Sequence, residues 1–222
     1  MALPAATVAV AVDALGHEDV AEIERLFDDT VLLGTPSAQP LAGFDDYRDM
    51  CLGWYLGEGR GDVGVARLEG EVSGYALVCA DQRSASRRER RAALALVGRL
   101  GLLAARGRLD VASRAFYRLR VRDAWTLARR HRHPPAAVHA HLNVRVGRRS
   151  GSTTLALVEH IDRRCCLAGE RRWYGEMNER RGRRSRALAR LGFEIVDVGP
   201  NHTLSALLGT DVDRLTVVRC LD

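Results

Sequence analysis

Between Val138 and Val146 polar and apolar residues alternate: His139, His141, Asn143 and Arg145 against Val138, Ala140, Leu142, Val144 and Val146. A strand with this pattern sets two imidazoles in a row on one face. Imidazole titrates near neutral pH, so His139 or His141 could take up a proton from a substrate. A second short run, Arg172 to Asn178, reads RWYGEMN and places Tyr174 and Glu176 two residues apart. Period-two alternation puts them on a common face as well. A carboxylate raised by burial is a candidate general base, and a phenol is a candidate acid. Glu176 and His141 rank first as base, with Tyr174 as acid. For each of them, a plain hydrogen bond to a neighbouring helix is the alternative.

A different chemistry follows the first strand. The stretch GRRSGSTT holds Arg148, Arg149, Ser150, Gly151, Ser152, Thr153 and Thr154, and an apolar helix face comes after it. The first backbone N–H groups of a helix lack partners, and the aligned peptide dipoles favour an anion there. Glycine lets a ligand approach the backbone, hydroxyls add donors, and the arginines add charge, which together suit a phosphate or pyrophosphate. A cap alone would need one hydroxyl and no arginine. The stretch is neither GxGxxG nor a GK[ST] loop.

These residues need a scaffold. A chain of 222 residues with 46% hydrophobic content can bury a full core within a single domain, residues 1–222. Its 34 basic side chains are all arginine, set against 28 acidic ones, for a net charge of +6. The distribution is uneven. The part up to Gln82 is strongly acidic, whereas residues 83–135 carry most of the positive excess. This contrast predicts either two surfaces with different tasks or one solvated basic face. The five cysteines are scattered and form no CxxC pair, which argues against a zinc site or a disulfide framework and leaves no metal expected. No basic n-region marks a signal peptide, and no apolar run reaches the roughly 20 residues of a membrane span. The expected location is therefore the cytoplasm.

Periodicity predicts a strand over residues 7–12, helices from Val20 and from Phe44, and a hairpin over residues 63–79 turning at Glu69-Gly70-Glu71. Two helical runs fill residues 84–133, capped by Ser84 or Ser86 and stopped by the prolines of HRHPP. A strand over residues 138–146 follows, then a helix over 152–168, a strand over 172–178 and a helix over 181–191. The last strand pair is predicted with NHTLSALLGTDV as its connection. Asp45, Asp46 and Asp49 on the second helix either attract a cation or form a solvated face.

The order of these elements, the loop Arg148-Arg149-Ser150-Gly151-Ser152-Thr153 and the late Leu188-Ala189-Arg190-Leu191-Gly192-Phe193 resemble the GNAT acyltransferase superfamily. The resemblance covers most of the chain apart from residues 83–135. It implies an α+β fold, a central mixed β-sheet flanked by helices, with a basic helical insertion between the hairpin and the central strand. It implies an N-acyltransferase that uses acetyl-CoA or another acyl-CoA as cosubstrate and a small-molecule amine as acceptor. The backbone of Leu142, Val144 and Val146 would pair with the pantetheine arm, and the loop from Arg148 to Thr154 would hold the pyrophosphate, with Asn178 a further cofactor contact. Thr153 stands where the family prefers Gly or Ala. Leu188 replaces the tyrosine that many members use to protonate the leaving thiolate. An acyl-CoA-binding protein without turnover and a nucleic-acid-associated protein using the insertion are the alternatives, the second less favoured. A homodimer is compatible with the reading. The insertion is expected to form a lid or wall beside the acceptor, with Phe116, Tyr117 and Trp125 as its apolar side.

Overall fold

The computed structural model describes residues 10–31, 41–130, 137–145, 147, 150–180 and 185–221. Seven strands form one mixed sheet in the order β1-β2-β3-β4-β5-β7-β6. These are β1 (Ala11–Ala14), β2 (Val63–Leu68), β3 (Glu71–Cys79), β4 (Val138–Val144), β5 (Arg172–Arg180), β6 (Phe193–Pro200) and β7 (Val212–Cys220). Every neighbouring pair is antiparallel except β4 and β5, which run parallel. The β2–β3 hairpin turns on Glu69 and Gly70, both at positive φ (55° and 87°), which matches the right-handed twist of the flanking strands.

Among the described residues seven α-helices flank the sheet: α1 (Val20–Thr30), α2 (Phe44–Leu56), α3 (Gln82–Ala105), α4 (Val111–Arg130), α5 (Ser150–Leu167), α6 (Ser185–Arg190) and α7 (His202–Leu208). On one face Ile23 and Leu26 of α1 and Leu52 and Tyr55 of α2 pack on Val63, Val65, Tyr75 and Leu77. On the other face Leu157, Val158, Ile161 and Cys165 of α5 pack on Ala76, Val78, Ala140 and Trp173. Adjacent Cys165 and Cys166 diverge on α5, one buried and the other exposed.

Three local expectations are corrected, and a fourth gains a helix. The first strand lies at Ala11–Ala14, because Asp13 and Ala14 continue the pairing with Val65 and Gly64; residues 1–9 lie outside the described set. Asp81, rather than Ser84 or Ser86, caps α3: its carboxylate accepts from Ser84 N at 3.0 Å, and both serines lie inside the helix. The fifth helix begins at Ser150, two residues before the expected start. The connection between β6 and β7 contains α7, capped by Asn201, whose side chain accepts from Leu204 N at 3.0 Å. Seven residues, about two turns, are too few for periodicity to reveal that helix.

The charge contrast also resolves. Asp49 of α2 pairs with Arg88 of α3 and Asp46 with Arg99, each at 3.0 Å. Asp45 holds Arg48 on its own helix at 2.7 Å. The acidic side of α2 is therefore the seat of the basic α3. Leu96 of α3 and Phe116 and Tyr117 of α4 then close over Tyr47 of α2.

Candidate active site

The strand register gathers the polar row. His139 and His141 lie opposite Cys79 and Leu77 of β3, on the face that α1 and α2 cover. On the other side, His139 lies beside Tyr174 of β5, and Glu176 and Asn178 face Thr216 and Arg214 of β7. Alternation along β4, β5 and β7 puts His139, His141, Tyr174, Glu176, Asn178, Thr216 and Arg214 on one face, a polar strip beside the apolar face of β3.

Recorded pairing between β4 and β5 is confined to Val138–Trp173 and His139–Tyr174. Beyond it the strands part. At the fork, a Cβ on Gly175 would stand 2.5 Å from Ala140 O, so only glycine permits that approach. The orientation of the β4 backbone follows from one bond. Arg145 N donates to Ser73 O at 2.9 Å, so odd-numbered residues turn their amides and carbonyls toward β3. Antiparallel alternation then turns those of Leu142 and Val144 toward β5, into the gap.

At the fork, His139 Nε2 and Glu176 Oε2 are 2.8 Å apart. The His139 ring stacks on Tyr174 with centroids 4.7 Å apart and meets His141 edge-on at 4.2 Å. Burial pushes the His141 imidazole down to about 4, with His139 adding to the effect and Glu176 opposing it. It is thus uncharged at neutral pH. Burial pushes the Tyr174 phenol well above its ordinary value, so it remains a protonated donor. Ligand atoms of His139, His141 and Glu176 lie within 4.8 Å of one another, a donor set of the kind that holds transition metals.

The remaining expected residues fall as follows. Asn143 Nδ2 donates to Tyr75 OH at 2.6 Å. Asn178 Oδ1 accepts from Asn201 Nδ2 at 2.8 Å, joining β5 to the start of α7. Gly151 and Ser152 are exposed in the first turn of α5, and a Cβ at Gly151 would meet open space. Thr153 turns inward, 1% exposed, with its hydroxyl 3.4 Å from that of Ser73. Thr154 is half-buried. Val146, Arg148 and Arg149 lie outside the described residues. Leu188 is buried in the core.

Two features were not read from the sequence. Arg214 enters the strip from β7; burial lowers its pKa, and nearby Arg120 of α4 adds to that. Asp123 of α4 is buried and accepts from His202 N, Thr203 N and Thr203 Oγ1 at 2.7, 2.9 and 2.5 Å, fixing α4 on α7. Counting along β7 in register would have found Arg214. No pattern announces Asp123. A separate cavity of about 250 Å³, lined by Asp62, Val78, Val138, Arg164 and Cys165, opens toward the far end of α5.

This is the GNAT fold. A GNAT superfamily phosphinothricin acetyltransferase from Sinorhizobium meliloti, solved with AcCoA, is 18% identical, with a TM-score of 0.53 over 96% of this chain and 89% of that one. A ribosomal-protein-alanine N-acetyltransferase from Brucella melitensis is 15% identical, with a TM-score of 0.54 over 95% and 99%. An N-acetyltransferase from Staphylococcus aureus is 11% identical, with a TM-score of 0.53 over 96% and 99%. No protein-family model and no curated protein matches the sequence.

Proposed function

We propose that the protein is an acyl-CoA-dependent N-acyltransferase, with acetyl-CoA as the leading cosubstrate and a small-molecule amine as acceptor. The fork between β4 and β5 carries this reading: two strands stop pairing at His139–Tyr174, and Leu142 and Val144 turn backbone donors and acceptors into the opening. An extended amide-bearing chain fits there as a surrogate strand. The exposed first turn of α5, with Gly151 and Ser152, suits the pyrophosphate, as do Ser150, the backbone of Thr153 and Thr154, Arg148 and Arg149. Asn178 supports that end of the site from β5.

In this reading the amine enters on the α1–α2 face. Glu176, hydrogen-bonded to His139, takes the amine proton as its nitrogen lone pair forms the C–N bond. The C–S bond then breaks and the thiolate leaves with a proton, for which Tyr174 is the candidate donor. His141, depressed to about 4, is a weak base and instead helps to hold His139.

The deciding experiment measures thiol release from acetyl-CoA and longer acyl-CoAs across a panel of amines. Turnover with at least one amine supports the reading. Tight acyl-CoA binding without turnover would instead make the protein a binding module, and no binding would sink the assignment.

A further inference from the structure

The hairpin of α3 and α4 has an outer face that the acyl-transfer chemistry does not use. Across residues 82–130 there are 14 arginines against three acidic residues, Glu89, Asp110 and Asp123. Asp123 is buried beneath α4, and Asp110 is engaged with Ser113, so little negative charge remains to offset the arginines. Six of the eleven large apolar side chains exposed among the described residues also lie here: Leu94, Val97, Leu102, Val111, Val121 and Trp125. Leu94 is 73% exposed and Trp125 58%. The inner face is meanwhile committed, through Leu96, Phe116, Tyr117 and the Asp123–α7 bonds.

Apolar and cationic residues interleave on that outer face. Exposed Arg90 and Arg91 precede the Leu94–Leu102 run, and Arg106 and Arg108 follow it. On α4, exposed Arg118 and Arg122 flank Val121, and the Arg129 guanidinium lies 4.5 Å from the Trp125 ring centroid. Exposed apolar side chains set between arginines suit an anionic lipid surface, the apolar groups entering the interface and the arginines reaching the headgroups. A second copy fits poorly, since a two-fold interface would set these arginines against themselves. A nucleic acid would use the charge but leave the leucines and valines without a partner. Among the described residues no helix is long and apolar enough to cross a membrane, which leaves surface attachment.

We propose that the outer face of α3 and α4 docks the protein on an anionic lipid surface. α3 packs on α2 and α4 on α7, so attachment through α3 would bring the proposed acceptor side close to the membrane.

The test is co-sedimentation of the full chain with vesicles of phosphatidylglycerol and phosphatidylcholine, against vesicles of phosphatidylcholine alone. Binding is expected only to the anionic vesicles and should weaken with added salt. Leu94→Glu together with Val97→Glu should lower partitioning at least tenfold, as should Arg90→Gln with Arg91→Gln. All four sites are exposed, so thermal melting should confirm intact folding. Failure to bind anionic vesicles would overturn the proposal. Binding to duplex DNA or RNA that is insensitive to the leucine and valine changes would overturn it in favour of a polyanion partner. A dimer dissolved by those changes, with no vesicle binding, would assign the face to self-association. None of these readouts depends on acyl transfer.

Discussion

His139 Nε2 and Glu176 Oε2 are bonded at 2.8 Å across the two strands that part just beyond them. The bond spans the one parallel pair among the described strands and sits at the root of its opening. The proposed proton acceptor, Glu176, is thereby fixed beside the gap proposed to take the thioester.

Glu176→Gln should keep the size and a hydrogen bond to His139 while removing the charge. If Glu176 takes the amine proton, turnover should fall ~10²-fold or more, with little change in acyl-CoA affinity. His139→Gln should produce a smaller loss, because it removes the group that positions Glu176. Steady-state kinetics across pH checks both, and full activity in both variants would mean the amine attacks already neutral.

The fork itself can be probed at Gly175. A methyl group there would press on Ala140 O at 2.5 Å, and the contact is to backbone, which cannot swing aside. Gly175→Ala should cost roughly 1–3 kcal/mol, as overpacking does. Urea denaturation measures this directly, and an unchanged midpoint would mean the strands separate more freely than described.

Much of this arrangement was legible from residue order. The alternation from Val138 gave the face of His139 and His141, and the spacing of Tyr174 and Glu176 set them on the same side. A splay between these two strands is what the family resemblance implies, but the register that sets His139 beside Tyr174 was not legible, because register between parallel strands is a long-range outcome of core packing. The charge asymmetry was visible, but not its resolution: Asp46 and Asp49 find Arg99 and Arg88 across 53 and 39 residues. Trp125 read as part of an inward apolar side with Phe116 and Tyr117, yet it faces outward beneath Arg129. A helix this rich in alanine and arginine has a weak apolar stripe, so periodicity could not orient it.

Asp123 tests how α4 is held. Its carboxylate serves three donors at the start of α7, and removing it leaves them unsatisfied in a buried place. Asp123→Ala should destabilise the protein by about 3 kcal/mol, with Asp123→Asn milder. Thermal or chemical denaturation reads the loss. Hydrogen exchange should show α7 and α4 losing protection ahead of the sheet.

The first turn of α5 carries the proposed pyrophosphate contact. Gly151 is exposed with open space around it, so Gly151→Glu should fold normally. A carboxylate there would repel the phosphates and crowd the helix N-terminus. Acyl-CoA affinity should fall by at least ~2 kcal/mol. Calorimetry with CoA decides it, and unchanged affinity in a folded variant would move the phosphate site elsewhere.

His141 should leave a mark on stability as a function of pH. Its pKa drops from 6.5 in the unfolded chain to about 4 in the folded one, chiefly because burial penalises the charged ring. Between those values the unfolded chain binds more protons, so stability rises with pH across that window. The contribution is complete above about 6.5 and is lost as pH falls toward 4. Some solvent still reaches the ring, so the expected loss is roughly 2 kcal/mol. His141→Gln removes the titration, and its stability should vary less between pH 7 and pH 4 than that of the native chain. Urea midpoints at a series of pH values check this. Parallel profiles for the two proteins would show that the ring is solvated enough to protonate freely, and would return His141 to contention as the base.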